Sequence, residues 1–345
     1  MTSHVITFGE IMLRLSPPGY LRLGQARSFD AIYGGGEANV AAALATFGMQ
    51  SDFVTRLPAN DLGDACLQYL RQYGVGTGQI LRGGERLGIY FLENGAAQRG
   101  SKVIYDRAGS AFAGLRPGML DWKKVLEGAT WFHWTGITPA VSEGAATVCL
   151  EGVRAARELG LTISCDLNYR AKLWKWGKPA KEVMTELVEL CDLAIANEED
   201  AEKVFGIQAP EIDVTTGKVE ARKYVPVCEQ LAERFPRLQT IAITLRGSLS
   251  ASHNTWSGAL WKPGEFYIAS IYDIADIVDR VGAGDSFAAG LIYGLNHPDS
   301  NPHHTIDFAV AASALKHSIF GDFNLVSLAE VEALVAGNAS GRVSR

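Results

Sequence analysis

The sequence has few cysteines, and none of them falls in a metal-binding or disulfide pattern. They are odd in number, far apart in the chain and never spaced as C-x-x-C: Cys66, Cys149, Cys165, Cys191 and Cys228. A disulfide framework and a zinc site are therefore not expected, and the pattern is typical of a chain kept in a reducing compartment.

Basic runs and long apolar runs are also missing. The formal net charge is −6, and no cluster of lysine and arginine suggests a nucleic-acid partner. No apolar stretch approaches membrane-spanning length, and the first residues lack the basic start and long apolar core of a secretory signal. We therefore expect a soluble, cytoplasmic protein with neither nucleic acid nor a membrane as partner.

The order of predicted elements indicates an α/β fold. An apolar fraction of 47% over 345 residues is enough for one large domain. Repeated strand–helix units favour a doubly wound, mainly parallel sheet with helices on both faces. The strands are predicted at 5–9, 51–57, 130–134, 161–166, 193–196 and 241–245, with antiparallel edge strands at 250–253 and 266–271, and the helices at 40–47, 61–73, 143–159, 181–190, 287–295, 305–320 and 328–334.

Two segments depart from this alternation. Residues 78–113 contain short β-branched or aromatic runs separated by glycine-rich turns, which predicts an inserted antiparallel sheet, joined by short strands near 11–33. Residues 208–225 are polar and lack clear periodicity, so we expect an excursion on the surface.

A glycine-rich turn before an apolar helix is the strongest candidate site. Gly282, Ala283 and Gly284 precede Asp285 and the apolar run that begins at Phe287. Backbone N–H groups of such a turn can converge on an anion at the positive end of the helix. A carboxylate there can take a proton from a hydroxyl that attacks a phosphate. Taken alone, the pattern favours an ordinary loop with Asp285 near a helix N-cap, and the rest of the chain decides between the two interpretations.

A second glycine turn, Gly34-Gly35-Gly36, is followed by Glu37 and Ala38 at the start of another apolar run. A strand, a glycine turn and a helix suggest a ligand held against the backbone, although a simple tight turn is an equal alternative. The turn does not have the G-x-G-x-x-G spacing, so a nicotinamide-dinucleotide site is a weak alternative.

Polar side chains follow several predicted strands and are expected to meet at one edge of the sheet: Asp166, Asn168, Arg170, Asn197 and Asp285. The acidic residues Glu198, Glu199 and Asp200 stand at the start of a predicted helix, where negative side chains usually just complement the positive end of the helix dipole. Mg²⁺ needs few carboxylates, however, and could be held there.

Together these motifs resemble the ribokinase-like sugar kinases, also called the PfkB family, over essentially the whole chain. The turn at 35–41 is similar to the sugar-side signature of that family, and 279–291 to its anion-hole signature. The two occur in the right order about 250 residues apart, which makes the match specific. The resemblance implies that Asp285 is the general base and that the amides of 282–284 form the anion hole. It also implies ATP and Mg²⁺ as cofactors and an inserted sheet that acts as a lid and joins two subunits.

Within the family, the segments at 105–111, 166–170 and 315–322 are most similar to kinases of 2-keto-3-deoxygluconate. The residues that this similarity places around the sugar acid are Gly34, Gly35, Gly36, Glu37, Ala38, Tyr90, Tyr105, Arg107, Arg170 and Asp322. An acyclic sugar acid needs a cationic group for its carboxylate, and the guanidiniums of Arg107 and Arg170 are suited to this task.

The nucleotide side departs from the family pattern at two places. The residues implied there are Asn168, Arg170, Asn197, Thr244, Arg246, Gly247, Gly282 and Gly284. The family motif N-x-x-E, associated with magnesium-bound water, ends here in Asp200, with Glu199 as a possible substitute. Ser250 stands where a glycine is usual in the nucleotide loop.

The sequence thus predicts ATP- and magnesium-dependent phosphorylation of the 6-hydroxyl of 2-keto-3-deoxygluconate. The alternatives are a sister activity such as fructokinase, a catalytically silent sugar-binding protein on the same fold, and, least favoured, a nicotinamide oxidoreductase.

Overall fold

The computed structural model describes residues 3–197, 199–208, 220–299 and 301–338. The strands are β1 (His4–Phe8), β2 (Met12–Ser16), β3 (Asp30–Gly34), β4 (Gln50–Val54), β5 (Arg56–Leu57), β6 (Leu81–Arg82), β7 (Gly88–Glu93), β8 (Lys102–Asp106), β9 (Trp131–Thr135), β10 (Thr162–Asp166), β11 (Leu193–Ala196), β12 (Thr240–Ser250), β13 (His253–Lys262), β14 (Glu265–Ile268) and β15 (Tyr272–Ile274). The helices are α1 (Gly36–Thr46), α2 (Asp61–Gln72), α3 (Trp122–Val125), α4 (Ile137–Val141), α5 (Glu143–Glu158), α6 (Ala180–Val188), α7 (Asp200–Phe205), α8 (Val225–Arg234), α9 (Ala283–Asn296), α10 (Pro302–Lys316) and α11 (Leu328–Val335).

A nine-stranded sheet forms the centre of the described structure. Its order is β14-β13-β12-β11-β10-β9-β1-β4, with β15 paired to β13. The six strands from β12 to β4 are parallel, and β13, β14 and β15 add an antiparallel edge. The predicted doubly wound, mainly parallel sheet is confirmed.

Alternating side chains of the central strands fill a core on each face of this sheet. In β9, Phe132 and Trp134 pack on one side with α5 and α6, whereas Trp131 packs on the other side with α1, α9 and α10. Because successive strand residues point to opposite faces, both layers of helices bury an apolar face of the same sheet.

A separate four-stranded sheet in the order β3-β2-β7-β8 lies over the carboxyl ends of the parallel strands. It draws its strands from the two segments in which an inserted sheet is expected, 11–33 and 78–113. β2 pairs with β7 in parallel, and β3 and β8 form antiparallel edges, so the sheet is mixed and the expected purely antiparallel pairing is wrong at its centre.

Two predicted elements differ from the structure. The strand expected at 250–253 is wrong: Ala251 and Ser252 form the turn between β12 and β13, because the chain reverses there to pair the two strands. The helix expected to reach residue 320 ends at Lys316. Most of the expected surface excursion at 208–225 lies outside the described residues, which resume at Glu220.

All five cysteines are buried and unpaired. None of the helices in the described residues is both long enough and apolar enough to cross a membrane.

Candidate active site

A cleft of about 490 Å³ lies between the carboxyl ends of the parallel strands and the small sheet. Ligands of open α/β sheets bind at this end of the strands, near the point where the strand order reverses, which here is β1. Most of the predicted site residues line the cleft: Gly34, Gly35, Gly36, Glu37, Tyr90, Tyr105, Arg107, Asn168, Arg170, Asn197, Asp200, Thr244, Arg246, Gly282, Ala283, Gly284, Asp285 and Asp322.

Three predicted residues do not line it. Ala38 is buried in an apolar cluster with Ile11 and Phe53. Gly247 lies within β12, and Glu199 is exposed just before α7, where its N–H donates to the side chain of Asn197 at 2.8 Å.

The anion-binding turn begins helix α9. Gly282 is the N-cap residue with φ 85°, a left-handed conformation that glycine adopts without strain. A Cβ at this position would also lie 2.0 Å from the backbone oxygen of Asp322. The first N–H groups of a helix have no partner within it, so the turn presents donors and the positive end of the helix dipole to the cleft.

Asp285, in the first turn of α9, is held by a residue from the other glycine turn. The Nδ2 of Asn39 donates to Oδ2 of Asp285 at 2.6 Å, while the N–H of Gly35 donates to Oδ1 of Asn39 at 3.2 Å. Burial raises the pKa of Asp285 to about 7, with smaller increases from Asp322 and Glu37, whereas the bond from Asn39 lowers it. A carboxyl group with a pKa near neutrality can accept a proton at physiological pH and release it again.

Asp322 lies beside the anion-binding turn, in a buried cluster of charges. Its two oxygens accept from Nη1 of Arg14 at 2.8 Å and from the hydroxyl of Tyr90 at 2.5 Å. Arg14, on β2, is fully buried and also donates to Asp279 at 2.6 Å. The cluster therefore ties the small sheet to the loops around the anion-binding turn.

Gly34 leaves the space that Asp322 occupies. A Cβ on Gly34 would lie 1.9 Å from Oδ2 of Asp322, so no larger residue fits without displacing this carboxylate.

Arg107 reaches the cleft from the end of β8, but it is not an isolated cation. Its Nε donates to Glu10 at 2.8 Å, and its Nη2 forms a second, shorter bond to the same carboxylate. Glu10 also accepts from Ser110. The guanidinium carbon lies 5.7 Å from the ring centre of Tyr105. The pair fixes the plane of the guanidinium and leaves its third nitrogen, Nη1, as a further donor.

Arg170, the other predicted cation, is exposed at the mouth of the cleft and donates to the carbonyl of Tyr169 at 2.9 Å. Its charge lowers the pKa values of Asp166 and Asp285.

The part of the cleft lined by Asp166 and Asp200 is rich in polar groups. Burial raises the pKa of Asp166 well above its ordinary value, and the charges of Asp200 and Asp285 raise it further. Asp200 caps the backbone, accepting from the N–H groups of Tyr169 at 3.0 Å and Asn197 at 2.9 Å.

Two amide side chains in this part of the cleft have buried atoms without a hydrogen-bond partner in the described structure. They are Oδ1 of Asn168, a residue with φ 37°, and both polar atoms of the fully buried Asn254. Buried polar groups are normally paired, so these amides are suited to a polar ligand.

Glu37 supports the site from below. Its Oε1 accepts from the N–H of Thr135 at 3.0 Å and from the hydroxyl of Thr138 at 2.6 Å, and only 1% of the residue is exposed. These bonds join α1 to the end of β9, so the carboxylate of Glu37 already has hydrogen-bond partners within the protein.

Sequence reasoning missed several residues of the site, above all Glu10, Arg14, Asn39 and Asp279. Asn39 and Asp279 lie inside the recognised motifs and could have been found there. Glu10 and Arg14 carry no local signal, because their charged partners are 97 residues or more away in the chain.

Comparison with known proteins agrees with this geometry. Residues 2–322 match the pfkB family of carbohydrate kinases. A 2-dehydro-3-deoxygalactonokinase of Haloferax volcanii is 33% identical over 343 residues, covering 99% of both chains.

Solved structures show the same likeness. The crystal structure of a 2-dehydro-3-deoxygluconokinase from Thermotoga maritima is 49% identical, with a TM-score of 0.91, covering 97% of this chain and 100% of that one. A pfkB family carbohydrate kinase from Listeria grayi is 34% identical, with a TM-score of 0.88 and the same coverage.

Proposed function

Because the chain belongs to the pfkB family of carbohydrate kinases, we propose that it transfers the γ-phosphoryl group of ATP to the 6-hydroxyl of 2-keto-3-deoxygluconate. The observation that carries the proposal is the position of Asp285. It lies at the anion-binding turn of α9, in one cleft with a buried guanidinium at Arg107. The predicted family resemblance is confirmed, and the nicotinamide alternative is set aside.

In this proposal Asp285 is the general base. The 6-hydroxyl approaches Oδ1 or Oδ2 of Asp285 and gives up its proton as its oxygen bonds to the γ-phosphorus and the bond to the ADP oxygen breaks. The amides of Gly282, Ala283 and Gly284 stabilise the negative charge on the transferring group. Asn39 keeps the carboxylate oriented and limits the rise of its pKa.

The sugar acid occupies the end of the cleft beneath the small sheet. Arg107 binds the carboxylate through its remaining donor, Nη1, and Tyr105 covers the guanidinium. Gly34, Tyr90 and Asp322 contact the hydroxyl groups. A neutral sugar has no group for Arg107, so this residue favours acids.

The nucleotide occupies the opposite end. Kinases of this family use ATP. Asn168, Asn197, Thr244 and Arg246 line that part of the cleft, and the unpaired Oδ1 of Asn168 can accept a hydrogen bond from a ribose hydroxyl.

Magnesium fits the same end, because burial and the charges of Asp200 and Asp285 raise the pKa of Asp166, and a divalent cation would relieve the repulsion among these carboxylates. Asp166 and Asp200 would hold it, directly or through water. When bound, Mg²⁺ would offset negative charge on the phosphates. The alternative predicted ligand, Glu199, is exposed outside the cleft lining.

The test is ADP release from ATP and Mg²⁺ with five substrates in parallel: 2-keto-3-deoxygluconate, 2-keto-3-deoxygalactonate, gluconate, fructose and ribose. The galactonate epimer is included because the Haloferax relative is named for it. Turnover led by 2-keto-3-deoxygluconate supports the proposal. Preference for the epimer would correct the sugar, and turnover only on a neutral sugar would contradict the acid site. Ligand-induced thermal stabilisation without ADP release would instead favour a silent sugar-binding protein.

The small sheet supports a further part of the proposal, that it is a lid through which two copies of the chain associate. Its outer surface carries exposed apolar side chains at Phe29 and Ile104, and β8 is an exposed edge strand. Such faces are usually covered by a partner. We expect the wild-type protein to sediment as a dimer in analytical ultracentrifugation, and Ile104→Asp to sediment as a monomer. The control is Leu159→Asp, which changes an exposed apolar residue at the end of α5 and should leave the dimer intact. A monomeric wild-type protein would disprove it.

A further inference from the structure

Lys316, the last residue of α10, is fully buried directly beneath the anion-binding turn. No step of the phosphoryl transfer described above uses it. Burial lowers its pKa, but Asp279 and Asp322 raise it, so the ammonium form is supported by two carboxylates. Burying a charged group costs free energy because the group loses its hydration, so the burial of this lysine requires an explanation.

The ammonium is held by main-chain carbonyl groups. Nζ donates to the carbonyl of Ile319 at 3.0 Å and makes a longer contact of 3.5 Å with the carbonyl of Asp279. The Asp279 carbonyl belongs to the Asp279–Arg280 peptide, which leads into the anion-binding turn at Gly282. In a trans peptide the N–H points opposite to the C=O, so fixing this carbonyl also fixes the N–H of Arg280 and the backbone that enters the turn.

The lysine stem also packs against the turn itself. A Cβ built on Gly282 would lie 3.4 Å from Cε of Lys316, in ordinary van der Waals contact. The side chain therefore supports the glycine whose left-handed conformation starts the anion-binding turn.

Lys316 is one of the cations that offset the carboxylates around this position. Two buried cations, Arg14 and Lys316, face two buried carboxylates, Asp279 and Asp322, while Asp285 also acts on Lys316 and the half-buried Arg280 acts on Asp279. Removing the ammonium would take one positive charge from beneath a turn that must attract phosphate. Charges in a buried site act strongly because water screens them poorly.

We propose that Lys316 is a built-in cation of the anion hole: its ammonium fixes the backbone of the 279–284 turn and offsets the buried carboxylates behind it. It is a positioning residue, since it lies behind the turn and acts on the phosphoryl group through that turn. The inference rests on the proposed phosphoryl transfer and deepens it.

The first test compares Lys316→Met, which keeps the stem and removes the charge, with Lys123→Met on the exposed surface of α3. We expect kcat to fall by about tenfold or more in Lys316→Met, with KM for the sugar changed less than threefold, and no change in Lys123→Met. A kcat of Lys316→Met within twofold of the wild type would overturn the proposal.

The second test is chemical rescue of Lys316→Ala, which leaves room for a small cation. Ethylammonium chloride should raise the kcat of this variant several-fold, and tetraethylammonium chloride at equal ionic strength should not. The wild type should respond to neither, because its own ammonium fills the place. A folded Lys316→Ala that ethylammonium does not rescue would overturn the proposal, because the loss of kcat would then result from lost side-chain packing.

A binding measurement keeps the inference testable if Lys316→Ala does not fold or if the sugar is misassigned. Aluminium fluoride with Mg·ADP imitates the transferring phosphoryl group. Wild-type protein should bind Mg·ADP more tightly with aluminium fluoride than without it, and Lys316→Met should lose most of that gain while keeping its affinity for Mg·ADP. An unchanged gain in Lys316→Met would overturn the role of Lys316, whereas a wild-type gain without turnover on the sugar acids would overturn only the proposed substrate.

Discussion

Asn39 and Asp285 lie 246 residues apart in the chain and are joined by a hydrogen bond of 2.6 Å. Each belongs to one of the two glycine motifs, so this bond joins the N-terminal motif to the C-terminal one. Because Asn39 also accepts from the N–H of Gly35, its amide is aligned with the start of α1. The bond holds the proposed base and stabilises its charged form, which gives the two motifs one shared chemical task.

The first prediction concerns the pH profile of Asn39→Ala. Loss of the bond should raise the pKa of Asp285 above its value of about 7, because burial then acts without compensation. A base must be deprotonated, so the acid limb of kcat/KM should move to higher pH. Asn301→Ala, which removes only the cap of α10, serves as control and should leave the profile in place. An unmoved acid limb in Asn39→Ala would show that the bond does not tune the base.

Asp285→Asn should bind substrates and lose turnover. A positioned base contributes roughly 10²–10⁴-fold to rate, so kcat should fall by at least two orders of magnitude with little change in KM. Single-turnover measurement of ADP formation would check this. Near-normal turnover would remove Asp285 from the role of base.

The same substitution should change stability in a pH-dependent way. The ordinary pKa of the carboxyl group is 3.8 and the folded value is about 7, so the folded state disfavours the charged form. The cost appears as pH rises above about 4 and is complete above pH 7, where it reaches at most roughly 4 kcal/mol. Asp285→Asn avoids it, so its free energy of unfolding should exceed that of the wild type by roughly 4 kcal/mol at pH 8 but by only about 1 kcal/mol at pH 4.5. Equal differences at both pH values would contradict the raised pKa.

Arg107→Ala should raise KM for the keto-deoxy acid at least tenfold and change KM for a neutral sugar little. The substitution also leaves Glu10 buried without its cation, which destabilises the fold by about 3–5 kcal/mol. The double variant Glu10→Gln/Arg107→Met is therefore the matched comparison, because it removes both charges. If acid and neutral sugar lose affinity equally in the double variant, Arg107 does not recognise the carboxylate.

Gly34→Ala should abolish sugar binding while leaving nucleotide binding. The added methyl group would lie 1.9 Å from Oδ2 of Asp322 and must displace it from Tyr90. Gly78→Ala is the control, since a Cβ there meets nothing within 4 Å. Calorimetric titration with each ligand separates the two effects, and intact sugar binding in Gly34→Ala would mean that Asp322 can move freely.

The sequence allowed the cleft to be located because its chemistry lies in local motifs. Glycine turns before apolar helices predicted the regions of Gly34 and Gly282, and polar residues after strands predicted Asp166 and Asn197 at one sheet edge. The rule fails where burial alone decides, as at Ala38: its motif suggests a ligand contact, but the helix turns it into the core.

Long-range charge pairs were beyond the reach of sequence reasoning. Arg14 reads as an ordinary polar residue in an alternating strand, yet it is fully buried because Asp279 and Asp322 meet it there. Arg107 was predicted as a cation awaiting a carboxylate, and the structure shows that Glu10 already supplies one. Such partners depend on the three-dimensional arrangement of β1, β2 and β8, which no local spacing encodes.

The bond between Asn39 and Asp285 also bears on how the protein is made. A ribosome delivers α1 early and α9 only near the end of the chain, so the base and its donor meet when almost all of the protein has emerged. Contacts of such sequence separation form late, since a long loop must close before they stabilise anything. An unfinished chain would thus have the sugar-side turn but neither the base nor Asp322, so it could not phosphorylate the sugar.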